Sequence, residues 1–466
     1  WSDIVQLSSA ADDDYIDTTP QIGVSGQNVY ALWGAGVVDS AGELDFQIHF
    51  TSSISGDSWN TPVDIKDDDD GGYLMPAMAV HTGQLGTDIV VTWRGIDSDT
   101  NLSRIMYRAS NDGGVNWNDP AVVSEAENAD AYKVLPDIVT TGDEIHIVWV
   151  DNSTTISGDT TDGSGDTVWT SCSTNCEGIS AEWSTPVLVS TGSDGDTDIP
   201  MITMDDDGGL HTVWTEFSES SIDVVYHYCE SQNGCSTTSG GDEDVLATST
   251  ADMTPVWPSI VLDGDDNVYV AWRQVESDTD NIVLSTGTIS SFGGSTSISF
   301  SAASTVNDDT ESRARRDVVL DIDNQDFIWA GWMDREQKET NEDWVWTGTD
   351  QDYYFKQSNQ PSQAWDGSSW DEALPLASDD FYHGESSSVS LASDSQYTYM
   401  VYYDSGDLMG PSSEGNGNDA HLDDGDILFA RSSNGEDWED FQTVSNRDMD
   451  GSVYLSDAMG REAMVP

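Results

Sequence analysis

Six ionisable residues stand one or two places after a recurring aromatic, at the end of an expected strand. Arg94 follows Trp93 and Arg273 follows Trp272, while Asp151, Glu216, Asp334 and Asp404 stand two residues after Trp149, Trp214, Trp332 and Tyr402. Two guanidiniums and four carboxylates gathered on one rim would suit glycan chemistry. Arginine grips a substrate carboxylate through two parallel N–H bonds, and paired carboxylates divide the acid and base work. The competing reading is a set of ion pairs between neighbouring repeats. Cation binding is a second chemistry on offer. Asp194, Asp196 and Asp198 alternate oxygen ligands along one side of an extended segment, and Asp67, Asp69, Asp423 and Asp426 lie in similar acidic stretches, as do Asp263, Asp265, Asp266, Asp321 and Asp323. Ca²⁺ takes roughly six to eight oxygens, more than any one stretch supplies, so a structural Ca²⁺ needs loops to combine. The window from Asp205 is no EF-hand, because Leu210 stands where that loop needs glycine. The cysteines form two close pairs, Cys172/Cys176 and Cys229/Cys235, with no Cys-x-x-Cys and no histidine at zinc-finger spacing. Two local disulfides in an oxidising compartment are the expectation.

The elements that must position these residues repeat. Seven segments, 20–34, 76–95, 136–151, 200–216, 258–274, 316–334 and 387–404, run through an Asp/Gly turn into alternating apolar residues that end in Trp33, Trp93, Trp149, Trp214, Trp272, Trp332 or Tyr402. In five of them the opening is Pro-x-Ile/Val or a close variant. Period-two alternation, as in His146-Ile147-Val148-Trp149, marks β-strands, and the Asp/Gly clusters mark hairpin turns. His146 and His211 fall at equivalent strand positions, which argues for architecture. A second strand pair follows each segment, and spacings of about 56 to 64 residues are those of four-stranded propeller blades. The fold class is therefore all-β: a seven-bladed β-propeller of four-stranded antiparallel blades. It is expected as one domain over 1–466, with blades near 20–65, 76–124, 136–190, 200–248, 258–306, 316–377 and 387–445. Residues 1–8 read as a spare fourth strand that closes the ring. The chain opens on Trp1 with no initiator Met, as a processed or excised chain would. By connectivity, the first-to-second and third-to-fourth turns share one face. The second-to-third and blade-to-blade loops share the other, where the long stretches 335–352 and 405–425 make a candidate binding rim.

Ser110-Asn111-Asp112-Gly113-Gly114-Val115-Asn116-Trp117 fits S-x-D-x-G-x-x-W. Asp112 can bond back to turn amides, the glycines can take positive φ, and Trp117 anchors the return strand. Partial copies keep less: the 52–59 stretch has Ile54 at the Asp position, and the 431–438 stretch has Ser433 there but keeps Gly435 and Trp438. With Ser110, Asp112, Gly114 and Trp117 as its full motif, the chain resembles the sialidase-like (BNR/Asp-box) β-propeller superfamily along nearly its whole length. The resemblance implies the propeller. It departs at the catalytic arginine: active sialidases carry Arg-Ile-Pro on an opening strand, whereas here Thr18, Leu74, Val134, Asp198 and Val256 stand two before the prolines, and Ala314 opens the sixth blade. The basic cluster Arg313, Arg315 and Arg316 is the nearest substitute.

Fifteen basic residues against 87 acidic ones give a net charge of −72. Such a surface repels nucleic acid and anionic membranes and draws cations, as adaptation to salt requires. No apolar run is long enough to span a bilayer as a helix. Asn101-Leu102-Ser103 and Asn152-Ser153-Thr154 are glycosylation sequons. The expectation is a secreted or cell-surface, non-catalytic propeller that binds or scaffolds glycan or extracellular protein partners. One alternative is a divergent glycoside hydrolase or polysaccharide lyase using the six second-strand residues; another is a repeat unit of a self-assembling surface layer. Structural Ca²⁺ predicts a melting midpoint that drops when a chelator is added, and an unchanged midpoint rules it out.

Overall fold

The computed structural model describes residues 5–6, 15–38, 44–66, 70–71, 75–82, 87–97, 99–128, 130–153, 156, 164–173, 176, 181–190, 195–230, 235, 243–276, 280–292, 295–307, 313–323, 325–336, 339–340, 343–344, 351–371, 374–375, 386–404 and 426–433. Seven antiparallel sheets form a ring. Blade 1 is Tyr15–Ser25, Asn28–Val38, Leu44–Ile54 and Val63–Asp64; blade 2 is Ala77–Thr82, Thr87–Asp97, Ser103–Ser110 and Ala121–Glu125. Blade 3 is Lys133–Thr140, Ile145–Asp151, Asp166–Cys172 and Val187–Leu188; blade 4 is Asp196–Met204, Gly209–Phe217, Ile222–Glu230 and Glu243–Thr248. Blade 5 is Met253–Leu262, Val268–Glu276, Asp280–Phe292 and Ser295–Phe300; blade 6 is Arg313–Ile322, Ile328–Glu336, Gln351–Gln357 and Leu374–Pro375. Blade 7 takes Ser386–Ser393, Thr398–Asp404 and Asp426–Ser432, and its outer strand is Val5–Gln6, paired through Val5 with Phe429. There is no helix among the described residues. Of the two long stretches, 335–352 contains a small hairpin, Glu339–Thr340 with Asp343–Trp344, and 405–425 lies outside the described residues.

The core is divided among the junctions between blades. Each first strand packs on the next blade's first strand, and the last returns to the first. Seven apolar clusters result, and each holds one member of the recurring aromatic set: Trp33, Trp93, Trp149, Trp214, Trp272, Trp332 and Tyr402. In every case the ring shares its cluster with apolar residues of the preceding blade, as Trp93 does with Tyr30, Leu32 and Ile48. All seven are 1 % exposed or less.

The turns spend much of the acid. In blades 4 to 7 an Asp in the first turn accepts a bond from the aromatic three residues before the core aromatic. His211 Nε2 lies 3.3 Å from Asp205, Tyr269 Oη donates to Asp263 at 3.0 Å, Trp329 Nε1 to Asp323 at 3.1 Å and Tyr399 Oη to Asp394 at 2.8 Å. Turn amides fill the remaining lone pairs, for example Asn267 N on Asp263 and Phe327 N on Asp323. These are the side-chain-capped turns that favour Asp. In the 110–117 turn, Asp112 accepts from Ser110 Oγ at 2.9 Å and Asn116 N at 2.8 Å, while Trp117 Nε1 donates to Gly114 O at 3.1 Å. Gly114 has φ 83°, and a Cβ there would lie 2.3 Å from Phe50 of blade 1. Gly56 meets Phe429 of blade 7 in the same way, and Trp59, Trp117 and Trp183 each stand edge-on to the preceding blade's Phe429, Phe50 and Tyr107. Gly and Trp thus make the interblade contact, and Asp only tidies the turn, so blade 1 keeps its contact with Ile54 in the Asp position. Blades 3 and 4 close this turn with the disulfides Cys172–Cys176 and Cys229–Cys235. Loops this short restrict the unfolded chain only modestly.

Every first strand described across its entry carries an irregularity. Thr19, Met75, Leu135, Ile199 and Trp257, each just before a proline, and Asp317 have φ between 45° and 56°. The register of five of these strands slips there, as between Thr18 and Gln21. Such φ values are uncommon for side-chain-bearing residues, above all for β-branched Thr19 and Ile199. Proline suits the break because it has no N–H to withhold from the ladder. Beyond the bulge, a freed amide is satisfied by the neighbouring blade: Ile22 N donates to Ser390 Oγ at 3.2 Å, Ile202 N to Asp137 Oδ2 at 2.8 Å and Leu320 N to Ser259 Oγ at 3.0 Å. Burial pushes the Asp137 carboxyl up to about 6 against the pull of the Ile202 amide, and burial does the same to Asp321, which accepts from Ser393 Oγ. A carboxyl whose folded value lies above its ordinary 3.8 contributes stability that is present below about pH 4 and lost as pH rises through about 6. Asp137→Asn and Asp321→Asn keep an acceptor but no charge. Each should exceed the wild type by up to about 3 kcal/mol at pH 8 and match it at pH 4 in denaturant melts.

Candidate functional site

The ladder places the second-strand residues in rungs that cross three strands. The rungs read Lys133/Asp151/Asp166 in blade 3, Thr197/Glu216/Asp223 in blade 4, Arg315/Asp334/Asp352 in blade 6 and Ser386/Asp404/Asp426 in blade 7. Each has an acidic residue on its second and third strands. Directly opposed residues share a face of the sheet with Cβ atoms about 5 Å apart, so the rungs of blades 3 and 4 bring like charges together. Two rungs add a base on the first strand, and two add only a hydroxyl.

The rungs with a base are closed ion-pair sites. Lys133 Nζ contacts Asp151 Oδ2 and lies 3.1 Å from Ser153 Oγ. Asp151 also accepts from the Trp149 indole and the Ser153 amide, both at 2.8 Å. Arg315, fully buried, pairs with Asp334 at 3.1 Å, and its amide donates to Asp280 of blade 5 at 3.2 Å. Asp280 in turn holds Arg273 at 2.7 Å. Of the six residues singled out from sequence, the described contacts join Arg273 and Asp334 through this chain, whereas Asp151 and Glu216 are held within their own blades. Arg94 stands apart in blade 2, half-buried, with its buried Nε lacking a hydrogen-bond partner among the described residues, and burial lowers its pKa. Only the backbone pairing of Asp404 is described.

Blade 4 leaves its acid pair without a base in the rung. Burial and the Asp223 charge hold the Glu216 carboxyl above its usual range, against a 3.3 Å bond from the Trp214 indole. Asp223 Oδ2 accepts from Ser221 Oγ at 2.8 Å, while its buried Oδ1 has no hydrogen-bond partner among the described residues. On the other face of the same sheet, toward blade 5, stands half-buried Trp257, whose amide donates to Thr215 Oγ1 at 2.9 Å and whose ring lies 5.1 Å under the Arg273 guanidinium. Asp198, raised by burial, accepts from the Trp257 side chain. On the blade 3 side, half-buried Tyr132 has its phenol raised by burial and by the charges of Asp196, Asp151, Asp166 and Asp198. Gly165 admits it, since a Cβ there would lie 2.6 Å from its oxygen. An aromatic–carboxylate band therefore runs over blades 3 to 5.

Among the residues expected to bind cations, Asp196 accepts from Gly165 N at 2.7 Å and Asp198 is the Trp257 acceptor. Asp426 lies opposite Asp404. Asp67, Asp69, Asp194 and Asp423 lie outside the described residues. Asp263 and Asp323 cap turns, and Asp321 accepts from Ser393 Oγ. Sequence reasoning missed Tyr132, Lys133, Asp223, Trp257 and Asp280. The signal for Trp257 was an aromatic immediately before the repeat proline; the others needed the register.

No protein-family model matches the chain, and no curated protein does. Among solved structures it is similar to a protein of unknown function from Dyadobacter fermentans, with a TM-score of 0.48 and 10 % identity over 92 % of this chain and 97 % of that one. It is also similar to the GH93 α-L-arabinofuranosidase of Fusarium graminearum (TM-score 0.47, 13 % identity, 72 % and 92 % covered). A third is the intramolecular trans-sialidase from Ruminococcus gnavus (TM-score 0.44, 12 % identity, 71 % and 92 % covered). The fold assignment rests on the strand pairing.

Neutralisation of the blade 6 rung is a stability matter. Arg315→Ala strands Asp334 in a buried site and should cost about 3 to 5 kcal/mol in urea melts. Pairing it with Asp334→Leu should recover most of the loss, and a cost below about 1 kcal/mol for Arg315→Ala would show that the rung is not held this way.

Proposed function

We propose that the chain is a secreted or surface-displayed propeller that binds glycan, free or carried on an extracellular protein, at the band over blades 3 to 5 without transforming it. The observation behind this reading is the blade 4 rung: an acid pair without the base that closes its counterparts in blades 3 and 6, with half-buried Trp257 on the blade 5 side of the same sheet. Carboxylates accept bonds from sugar hydroxyls, and an indole face packs on the C–H face of a pyranose or furanose ring, with a large contact at small entropic cost. Arg273 and Arg315, the arginines nearest the band, are engaged by Asp280 and Asp334, and Arg94 stands apart in blade 2, so the ligand class this reading favours is neutral. Two disulfides accord with an oxidising, extracellular setting, and no helix among the described residues is long and apolar enough to cross a membrane. Solvent cations, Ca²⁺ among them, screen the acidic surface.

A second reading, a glycoside hydrolase, has one observation in its favour. Glu216 and Asp223 face each other across the ladder, and Glu216 has the raised pKa of a general acid. One panel of neutral oligosaccharides separates the two. Binding should appear in tryptophan fluorescence or calorimetry without product release, and Trp257→Ala should weaken it about tenfold, or about 1.4 kcal/mol. Wild-type turnover abolished by Glu216→Gln would establish the hydrolase instead. Binding indifferent to Trp257→Ala would displace the site.

A further inference from the structure

In blade 4, three metal-ligating side chains meet beneath the third-to-fourth turn. His227 and Cys229 alternate along the third strand and so point to one face, and Cys235 comes back from the turn. The ring nitrogen and the two sulfurs all lie within 4.8 Å of one another, and all three residues are buried. Glu243, directly opposite His227 on the fourth strand, shares that face. The sulfurs are joined here as a disulfide. Blade 3 supplies an internal comparison: Cys172 occupies the same strand end and pairs with Cys176, but the residue two before it is Thr170. A hairpin staple therefore does not require the histidine.

We propose that reduction of the Cys229–Cys235 disulfide converts this staple into a Zn²⁺ site formed by His227, Cys229 and Cys235, with the fourth position open to Glu243 or water. An external dithiol supplies two electrons and two protons, becomes a cyclic disulfide, and leaves two thiols on the chain. Zn²⁺ binding then releases both protons to solvent and is held by two thiolates and a neutral imidazole, a donor set this ion favours at about 2.0 to 2.3 Å. Once reduced, the two sulfurs are free to separate to the spacing that tetrahedral contacts require. The turn is thus stapled by sulfur under oxidising conditions and by metal under reducing ones.

Co²⁺ tests this on the intact chain, because its thiolate charge-transfer absorption separates sulfur ligation from the many surface carboxylates. The dithiol-reduced wild type should show the band at one Co²⁺ per chain, discharged by Zn²⁺. The oxidised protein and Cys229→Ser should lack it, Cys172→Ser/Cys176→Ser should retain it, and His227→Ala should lower Zn²⁺ affinity at least about tenfold. No band in a reduced wild type with native tryptophan fluorescence overturns the proposal. So does a band that survives Cys229→Ser or needs Cys172. Loss of native fluorescence on reduction overturns it equally, since the site requires a folded reduced chain.

Discussion

An aromatic ring on the second strand of each blade, pressed against the blade before it, is the contact on which the structure depends. Trp33, Trp93, Trp149, Trp214, Trp272, Trp332 and Tyr402 occupy one position in seven junctions, and each sits in a different apolar cluster. A four-stranded sheet alone buries neither face. Only the stacking of neighbours removes these rings from water, and fully burying side chains of this size is among the largest single contributions a core residue can make. The inner-strand bulges answer the same constraint. They interrupt the ladder at the narrow end of the blade, and Ser390, Asp137 and Ser259 lend acceptors to the amides of the next blade.

Charge is distributed against this frame with some economy. The chain has 15 basic residues for 87 acidic ones, so few carboxylates can have a basic partner. The buried ones that do include Asp151 and Asp334 in the rungs of blades 3 and 6 and Asp280 in blade 5. Many others satisfy themselves locally with turn amides, indoles and phenols, as Asp263, Asp323 and Asp394 do. Those hydrogen bonds favour the ionised form without any countercharge. The acid pair of blade 4 has no base in its rung, only the Trp214 indole on Glu216 and the Ser221 hydroxyl on Asp223.

The architecture was legible because its signals are local and repeated: alternation, a turn, and an aromatic at a fixed offset. The disulfides were legible from short spacing. The acidic loops were read as charge and as prospective cation ligands, when Asp263 and Asp323 are caps whose partners, Tyr269 and Trp329, lie six residues on. That offset was present in the sequence, but its meaning depends on a hairpin bringing the two ends together. The site was less accessible still. Glu216 was picked out from its position after Trp214, but Asp223, its partner, comes from the next strand. Whether such a pair is neutralised is decided by a residue on a third strand, Thr197 or Lys133 or Arg315. Composition and spacing along one strand do not carry that three-strand register.

The pairing of Val5–Gln6 with Asp426–Ser432 has a consequence for how the molecule comes apart. In an open stack of repeats, the terminal units have one neighbour each, so unfolding starts there and proceeds inward. Here the blade 7 sheet takes its outer strand from the far end of the chain, and every blade has a neighbour on both sides. A closed array has no terminal unit to fray. Opening any blade breaks two junctions at once, and the first such event is the costly one, after which the rest of the ring behaves as an ordinary linear stack.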